Sequence, residues 1–376
     1  MSIEWVACEI KTGAMIDALP GLHGDSLLDT IGRYESATLT LPLGTAPATW
    51  VRATKPLAST LNLIDTTDEE NPVCLWGGFV NVRPRTQGAS VDLSVATIPA
   101  YFDRRIVRDV TYTQVDQNAI VADLIARFVA DGSNGGIPIR VQVVGGPGPL
   151  RDRSYLESDG KTVYSALTEL MGVDGGPEWY VGWESGQLAD GRVTWTPVIY
   201  VGSRIGTPKA ADVPRPAVTI DLPGTGTTVT VTEDYSSGNG ANDIVAVSTA
   251  DASTGITPTS DHIVIPDPDR PTVELRFTPS TSIVNKATLN GHARAKAAAI
   301  ADGTVTTEIS MLSQASARLG IDWGIGDDLG IDVVAPAFPD GYEDVQRAWG
   351  WEIEPADPLK VTPTLVSPVE VDDAAS

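Results

Sequence analysis

The chain has 376 residues, enough for two or three domains, and its 42% hydrophobic content excludes an intrinsically disordered protein. The 49 acidic against 26 basic residues give a formal net charge of −23, which argues against a nucleic-acid reader with its basic stripe and against docking on anionic lipid. That charge fits plain solubility, or an acidic surface facing something that must not stick, such as DNA passing down a tube.

The N-terminus MSIEWVACEIKTG carries charges at Glu4, Glu9 and Lys11 and no apolar run, so it predicts no signal peptide. No apolar stretch approaches the ~20 residues of a membrane span, and no membrane anchor is expected. Cys8 and Cys74 are too few for a disulfide scaffold and are expected as buried free thiols of a protein folded in a reducing cytoplasm.

Residues 1–108 predict an N-terminal all-β domain. Val6, Cys8 and Ile10 alternate with other residues, as do Ala37, Leu39, Leu41 and Leu43, then Leu57, Leu61 and Leu63, then Val91, Leu93 and Val95. Gly77 and Gly78 within CLWGGFVNV suggest a bulge or tight bend. Residues 109–210 change character and predict a compact α/β insertion. Asp116 can cap a helix with Ile120, Val121, Leu124, Ile125 and Phe128 on one face, ended by DGSNGG. A strand IRVQVV, a loop GGPGP, a second helix TVYSALTELM and two aromatic strands, EWYVGW and RVTWTPVIYV, follow.

Residues 211–366 predict a second β domain. A linker becomes strands in VTIDLPGTGTTVTV, NDIVAVSTA and PTVELRF are further strands, and an Ala-rich helix feeds a four-strand meander. Ser282 can cap that helix, Ala287, Ala293, Ala297 and Ile300 recur at helical spacing, and Gly303 suits its exit. Its Ala face predicts close packing on a sheet or a subunit contact. The period then becomes two: Val305, Thr307, Ile309 and Met311; Leu329, Ile331 and Val333; Trp349, Trp351 and Ile353. In DWGIGD, Gly324 and Gly326 can take positive φ, Asp327 can accept backbone N–H bonds and Trp323 can fold back as an apolar plug. Residues 367–376 read as a flexible acidic tail.

The order helix, amphipathic strand, W-x-x-G-D turn, strand and E-I-E strand over 280–365 resembles the C-terminal part of bacteriophage tail hub proteins. These are minor tail proteins at the tail tip of long-tailed phages infecting actinobacteria. The G-F-V-x-V and S-V-D-L-S-V strands of the first hundred residues are similar to that family's opening barrel. The resemblance implies a mainly β fold with an α/β insertion, built from two small β-barrel domains and phage tail hub-like. It also implies a homotrimeric ring below the tail tube that contacts the distal tail protein, the tape-measure protein and receptor-binding tip proteins. Localisation at the virion tail tip and a part in host attachment and DNA delivery follow from it, and it carries no active site.

The chemical motifs point the same way. Gly160-Lys161-Thr162 opens a helix, but position 155 is Tyr155 where a phosphate loop needs Gly. Gly224-Thr225-Gly226 precedes a β run, so it suggests a turn and no dinucleotide site. His23, His262 and His292 lack metal-ligand spacing. The acidic loops Thr66 to Glu70, Pro266 to Asp269 and Asp340 to Asp344 lack the calcium-loop pattern. No catalytic, metal or cofactor residue is assigned, no cofactor is expected, and the chain is expected not to be an enzyme. Two alternatives stand beside the structural role. A carbohydrate-binding tail adhesin would expose a row among Trp76, Trp179, Trp183, Trp195, Trp349 and Trp351, although their alternation favours core packing. A tail-tip cell-wall hydrolase would bring two carboxylates to ~5–9 Å in a cleft.

Overall fold

The computed structural model describes residues 3–24, 26–85, 87–173, 175–222, 224, 226–249, 257–279, 283, 285–312, 317–355 and 359–366. The fold is mainly β with an α/β insertion, as the sequence predicts. Contacts divide the chain into two units: Met1–Thr228 with Ile309–Ser376, and Val229–Glu308.

In the first unit, a seven-stranded sheet runs in the order Met15–Ala18, Ile3–Glu9, Ser59–Asp65, Val73–Val82, Ser90–Thr97, Ser36–Pro42, His23–Gly24, antiparallel throughout. Only four residues, Leu19–Leu22, join the two ends of this path. Such a short link spans at most ~14 Å, so the sheet rolls until its edges approach. The alternating Leu39, Leu41, Leu61, Leu63, Leu93 and Val95 fill the inside with no exposure. Leu57 departs from that alternation. It sits at φ +52° ahead of the strand, donates its N–H to Val80 O and leaves its side chain 41% exposed. Gly77 and Gly78 form no bulge either; they pair in register with Asn62 and Leu61. Their role is close approach, since a Cβ on Gly77 would lie 2.4 Å from the Trp183 ring and one on Gly78 2.5 Å from Ala96 O.

The insertion holds helices Gln117–Phe128 and Val163–Met171, capped by Asp116 and Thr162, whose side chains accept from Asn118 N and Ser165 N. Strand Arg140–Val143 pairs parallel to Val193–Gly202, which pairs antiparallel to Glu178–Gln187; Val110–Asp116 pairs with Leu150–Tyr155. Ile120, Leu124, Leu167 and Trp179 share one core with Phe79 and Ile98, so the insertion and the first sheet are packed as one body.

The second sheet runs Val218–Leu222, Asp328–Ala335, Phe338–Glu354, Lys360–Val366, Thr304–Leu312, Thr227–Asp234, again with ends joined by four residues, 223–226. If the six strands of each set are numbered along the chain, both sheets read 1-4-5-6-3-2, with Ile3–Glu9 wedged between strands 1 and 4 of the first. Directions agree as well: Val218–Leu222 lies parallel to Asp328–Ala335, and two antiparallel steps orient Met15–Ala18 the same way to Ser59–Asp65. The chain therefore contains an architectural duplication. Leu27–Thr30, between strands 2 and 3 of the first set, pairs with Gly350–Ile353 of the second sheet. Thr307, Ile309 and Met311 are buried as predicted, but Val305 is 48% exposed.

The second unit is a small α/β body. Asp243–Ala246 lies between Ile263–Val264 and Glu274–Phe277, and helix Lys286–Ile300 packs on that sheet. The helix begins later than the sequence predicts, with Asn285 as its cap accepting from Ala287 N. Leu289 joins Ala293, Ala297 and Ile300 on the buried stripe while Ala287 is exposed, because the helical face closes at positions four and three apart from Leu289. Ser282 and residues 367–376 lie outside the described residues.

Candidate functional site

The W-x-x-G-D segment is where the parts of the first unit meet. Its loop is self-supporting. Arg318 N donates to Asp322 Oδ2 at 2.7 Å, Gly320 N to Trp323 O at 2.8 Å, Gly324 N to Asp327 Oδ2 at 2.7 Å, and Trp323 Nε1 to Ala317 O at 3.2 Å. Trp323 is 3% exposed, the plug that the sequence predicts. Positive φ falls on Gly320 (+78°) and Gly326 (+87°), and not on Gly324.

Three ties radiate from this loop. Toward the first sheet, Arg318 donates to Asp65 Oδ2 at 2.6 Å, and Gly320 sits against Val73. Burial raises the Asp65 carboxyl, but hydrogen bonds from Thr67 and the Arg318 guanidinium outweigh it and leave the group below its ordinary value. Toward the insertion, Thr207 N donates to Asp327 Oδ1 at 2.6 Å and Lys209 N to Asp328 Oδ2 at 2.7 Å, and Arg204 pairs with Asp328. Toward the second sheet, Ala348 N donates to Asp327 O at 2.9 Å.

Arg347 closes the joint. Its guanidinium makes two bonds to Glu178, at 2.7 and 2.5 Å, and donates further to Ile205 O at 2.7 Å and Gly326 O at 3.1 Å. With the arginine 3% exposed, this fork-to-fork arrangement satisfies a charge that would otherwise be costly to bury.

Beside the joint lies a cleft of about 360 Å³ walled by Pro208, Val213, Pro216, Trp323 and Leu329. The carboxylates at its edge, Asp322, Asp327 and Asp328, are engaged with the backbone or Arg204. These bonds hold the neighbouring segments together. Among the described residues no three His, Cys, Asp or Glu gather as metal ligands.

The other sequence candidates stay apart. Lys161 pairs with Glu169 and lies over Tyr155; His262 pairs with Asp243; Asp68 and Asp267 cap their own loops. Trp76, Trp179, Trp195 and Trp351 are at most 4% exposed, and Trp183 and Trp349 are half-buried, so they pack the core and present no platform. Cys8 and Cys74 are free thiols, and burial pushes Cys8 up to about 12. Sequence reasoning missed Glu178, Arg204, Arg318 and Arg347. Arg347 lies in phase with Trp349, Trp351 and Ile353 at two-residue spacing, and only that phase hinted at burial.

No protein-family model and no curated protein matches the sequence. Solved structures do. The 43 kDa tail protein of prophage MuSo2 from Shewanella oneidensis is similar at 11% identity over 97% of this chain and 98% of its own, with a TM-score of 0.54. A tail protein from Neisseria meningitidis MC58 is similar at 13% identity over 98% of this chain and 97% of its own, with a TM-score of 0.52. The chain thus has the fold of phage tail proteins along nearly its whole length.

Proposed function

We propose that this chain is a structural subunit of a bacteriophage tail tip, the baseplate hub of a long-tailed phage of an actinobacterial host. The observation that carries the reading is the duplication: two rolled sheets of one strand order, tied together by the pairing of Leu27–Thr30 with Gly350–Ile353 and by Arg318 on Asp65. A chain with two equivalent sheets can place six around an axis with three copies, which suits a homotrimeric ring below a tail tube. The likeness to two tail proteins end to end supports it. The ring would meet the distal tail protein and the tape-measure protein on one side and receptor-binding tip proteins on the other. It would be folded and assembled in the host cytoplasm and then carried in the virion.

Its action would be mechanical, without catalysis: adapting and closing the tube, then opening it for DNA during host attachment and delivery. The net charge of −23 suits a wall that must not hold phosphates. Cryo-electron microscopy of the intact tail tests this. Three copies with six rolled sheets about the axis are expected; six copies, or a single copy on the axis, would overturn the reading.

A further inference from the structure

We infer that the arginine-lined cleft between segment 104–108 and the end of helix Gln117–Phe128 binds an acidic, partly apolar peptide segment of a partner protein. The site lies within one chain and stands whether or not copies of it form a ring.

The first argument is charge held in place. The cleft encloses about 790 Å³, and Arg104, Arg105, Arg108 and Arg127 line it against two carboxylates, Asp131 and Glu157. On a chain of net charge −23 this is a local reversal of sign. Arg104 and Arg105 have no carboxylate partner among the described residues. Arg104 donates to Asn81 Oδ1 at 2.6 Å and lies over the Phe79 ring. Arg105 donates to Phe128 O and, at 2.5 Å, to Asp131 O, carbonyls left open where the helix ends. Neutral acceptors fix both guanidiniums without cancelling their charge, so the forks are set for a carboxylate before it arrives. The other two are partly neutralised. Arg127 bonds Asp123 at 2.8 Å, and Arg108 faces Glu157 across a loose 3.8 Å with both side chains exposed.

The second argument is the mixed lining, which selects among anions. Asp131 and Glu157 are in the wall, and Asp103, Asp109 and Asp159 stand exposed beside lining residues in sequence. A polyphosphate or nucleic-acid strand carries charge at every unit and would press phosphates on these carboxylates. A peptide spaces its carboxylates and turns backbone N–H groups to the acids between them. Ile106, 44% exposed in the same wall, offers an apolar side chain a seat that a phosphate chain cannot use.

The test is fluorescence anisotropy on the full-length chain at low salt, where charge contacts are least screened. The probe is a fluorescein-labelled peptide of Glu interspersed with Leu, about ten residues long, an extended reach of ~33 Å. Expected is saturable binding, weakened at least about tenfold by R104Q with R108Q, two exposed arginines of the wall. R276Q with R294Q, an equal change of charge at exposed positions elsewhere, should leave it unchanged. Arg127→Gln, on the exposed face of its helix, gives the same reading should the first double variant unfold. Absence of binding up to about 1 mM, or equal losses in the two double variants, would overturn the site. Polyphosphate of equal charge binding as tightly as the peptide would overturn a peptide as the ligand. Self-association of the chain in sedimentation, abolished by R104Q with R108Q, would make a second copy the occupant and overturn a foreign partner.

Discussion

Gly206 and Gly326 pack backbone against backbone: a Cβ on Gly206 would lie 2.0 Å from the Gly326 carbonyl carbon, and one on Gly326 2.2 Å from Ile205 O. Gly326 also sits at φ +87°. Any side chain at either position must separate the insertion from the second sheet. Gly326→Ala is expected to cost about 2–4 kcal/mol through combined strain and lost joint contacts. Gly324, two residues away, meets only Asp327 Oδ2 at 3.8 Å and has no positive φ, so Gly324→Ala should stay within about 0.5 kcal/mol. Urea unfolding of the two variants side by side decides it, and equal losses would show that the loop, not the close approach, sets the cost.

Trp323 is almost wholly buried and also ties its ring N–H to Ala317 O. Trp323→Ala should therefore cost roughly 3–5 kcal/mol, the usual range for a buried aromatic. Asp327 joins two segments through Gly324 N and Thr207 N, and Asp327→Ala should cost about 1–3 kcal/mol for the two unpaired N–H groups. Thermal unfolding of the Trp variant at the wild-type temperature would show that the ring contributes nothing as a plug.

The Arg347–Glu178 pair makes a prediction of a different shape. Removing one partner leaves a buried charge alone, so Arg347→Met or Glu178→Leu alone should each cost about 3–5 kcal/mol. The double variant should lose less than the sum, because neither charge is left behind, though the carbonyls of Ile205 and Gly326 lose a donor either way. A double-mutant cycle measures the coupling. Strict additivity would mean that the two residues act independently.

Much of this was legible in advance, and the limits have physical causes. Strand alternation exposed Leu39, Leu61 and Leu93 as core, and the Asp116 cap marked a helix start, because those signals are local in sequence. Trp323 and Asp327 stood out because a bulky apolar residue beside Gly and Asp in a turn has few other uses. The partners of the joint did not: Glu178 and Arg347 are 169 residues apart, and nothing local in either stretch encodes their meeting. Leu57 misled for a related reason. Its spacing continues the apolar alternation, but a tight turn places it at positive φ and aims it outward. The duplication was legible only through the family resemblance, since strand order is a property of pairing and no repeat is obvious in the sequence.

Asp29 supplies a pH test of the strand that links the two sheets. Leu27–Thr30 pairs with Gly350–Ile353 while Leu28 O accepts from Trp76 Nε1, so the strand is held from both sides. Burial pushes the Asp29 carboxyl well above the usual carboxylate range; the Thr30 N–H opposes this, and the charge of Glu35 adds to it. A raised carboxyl pKa means that the folded state binds the proton more tightly than the unfolded chain, where Asp titrates near about 3.9. The stabilising contribution is therefore complete below about pH 3.9 and is lost as pH rises through the elevated folded value. Asp29→Asn removes the charge while keeping the shape and the bond from Thr30 N. The variant should match wild type at about pH 3 and become the more stable of the two as pH climbs, with the gap widening and then levelling above the folded pKa. Other acids shift both proteins together, so the difference between their unfolding curves isolates this one group. A gap that stays constant across the whole pH range, or one that favours wild type at neutral pH, would mean that Asp29 is ionised and satisfied in the folded protein.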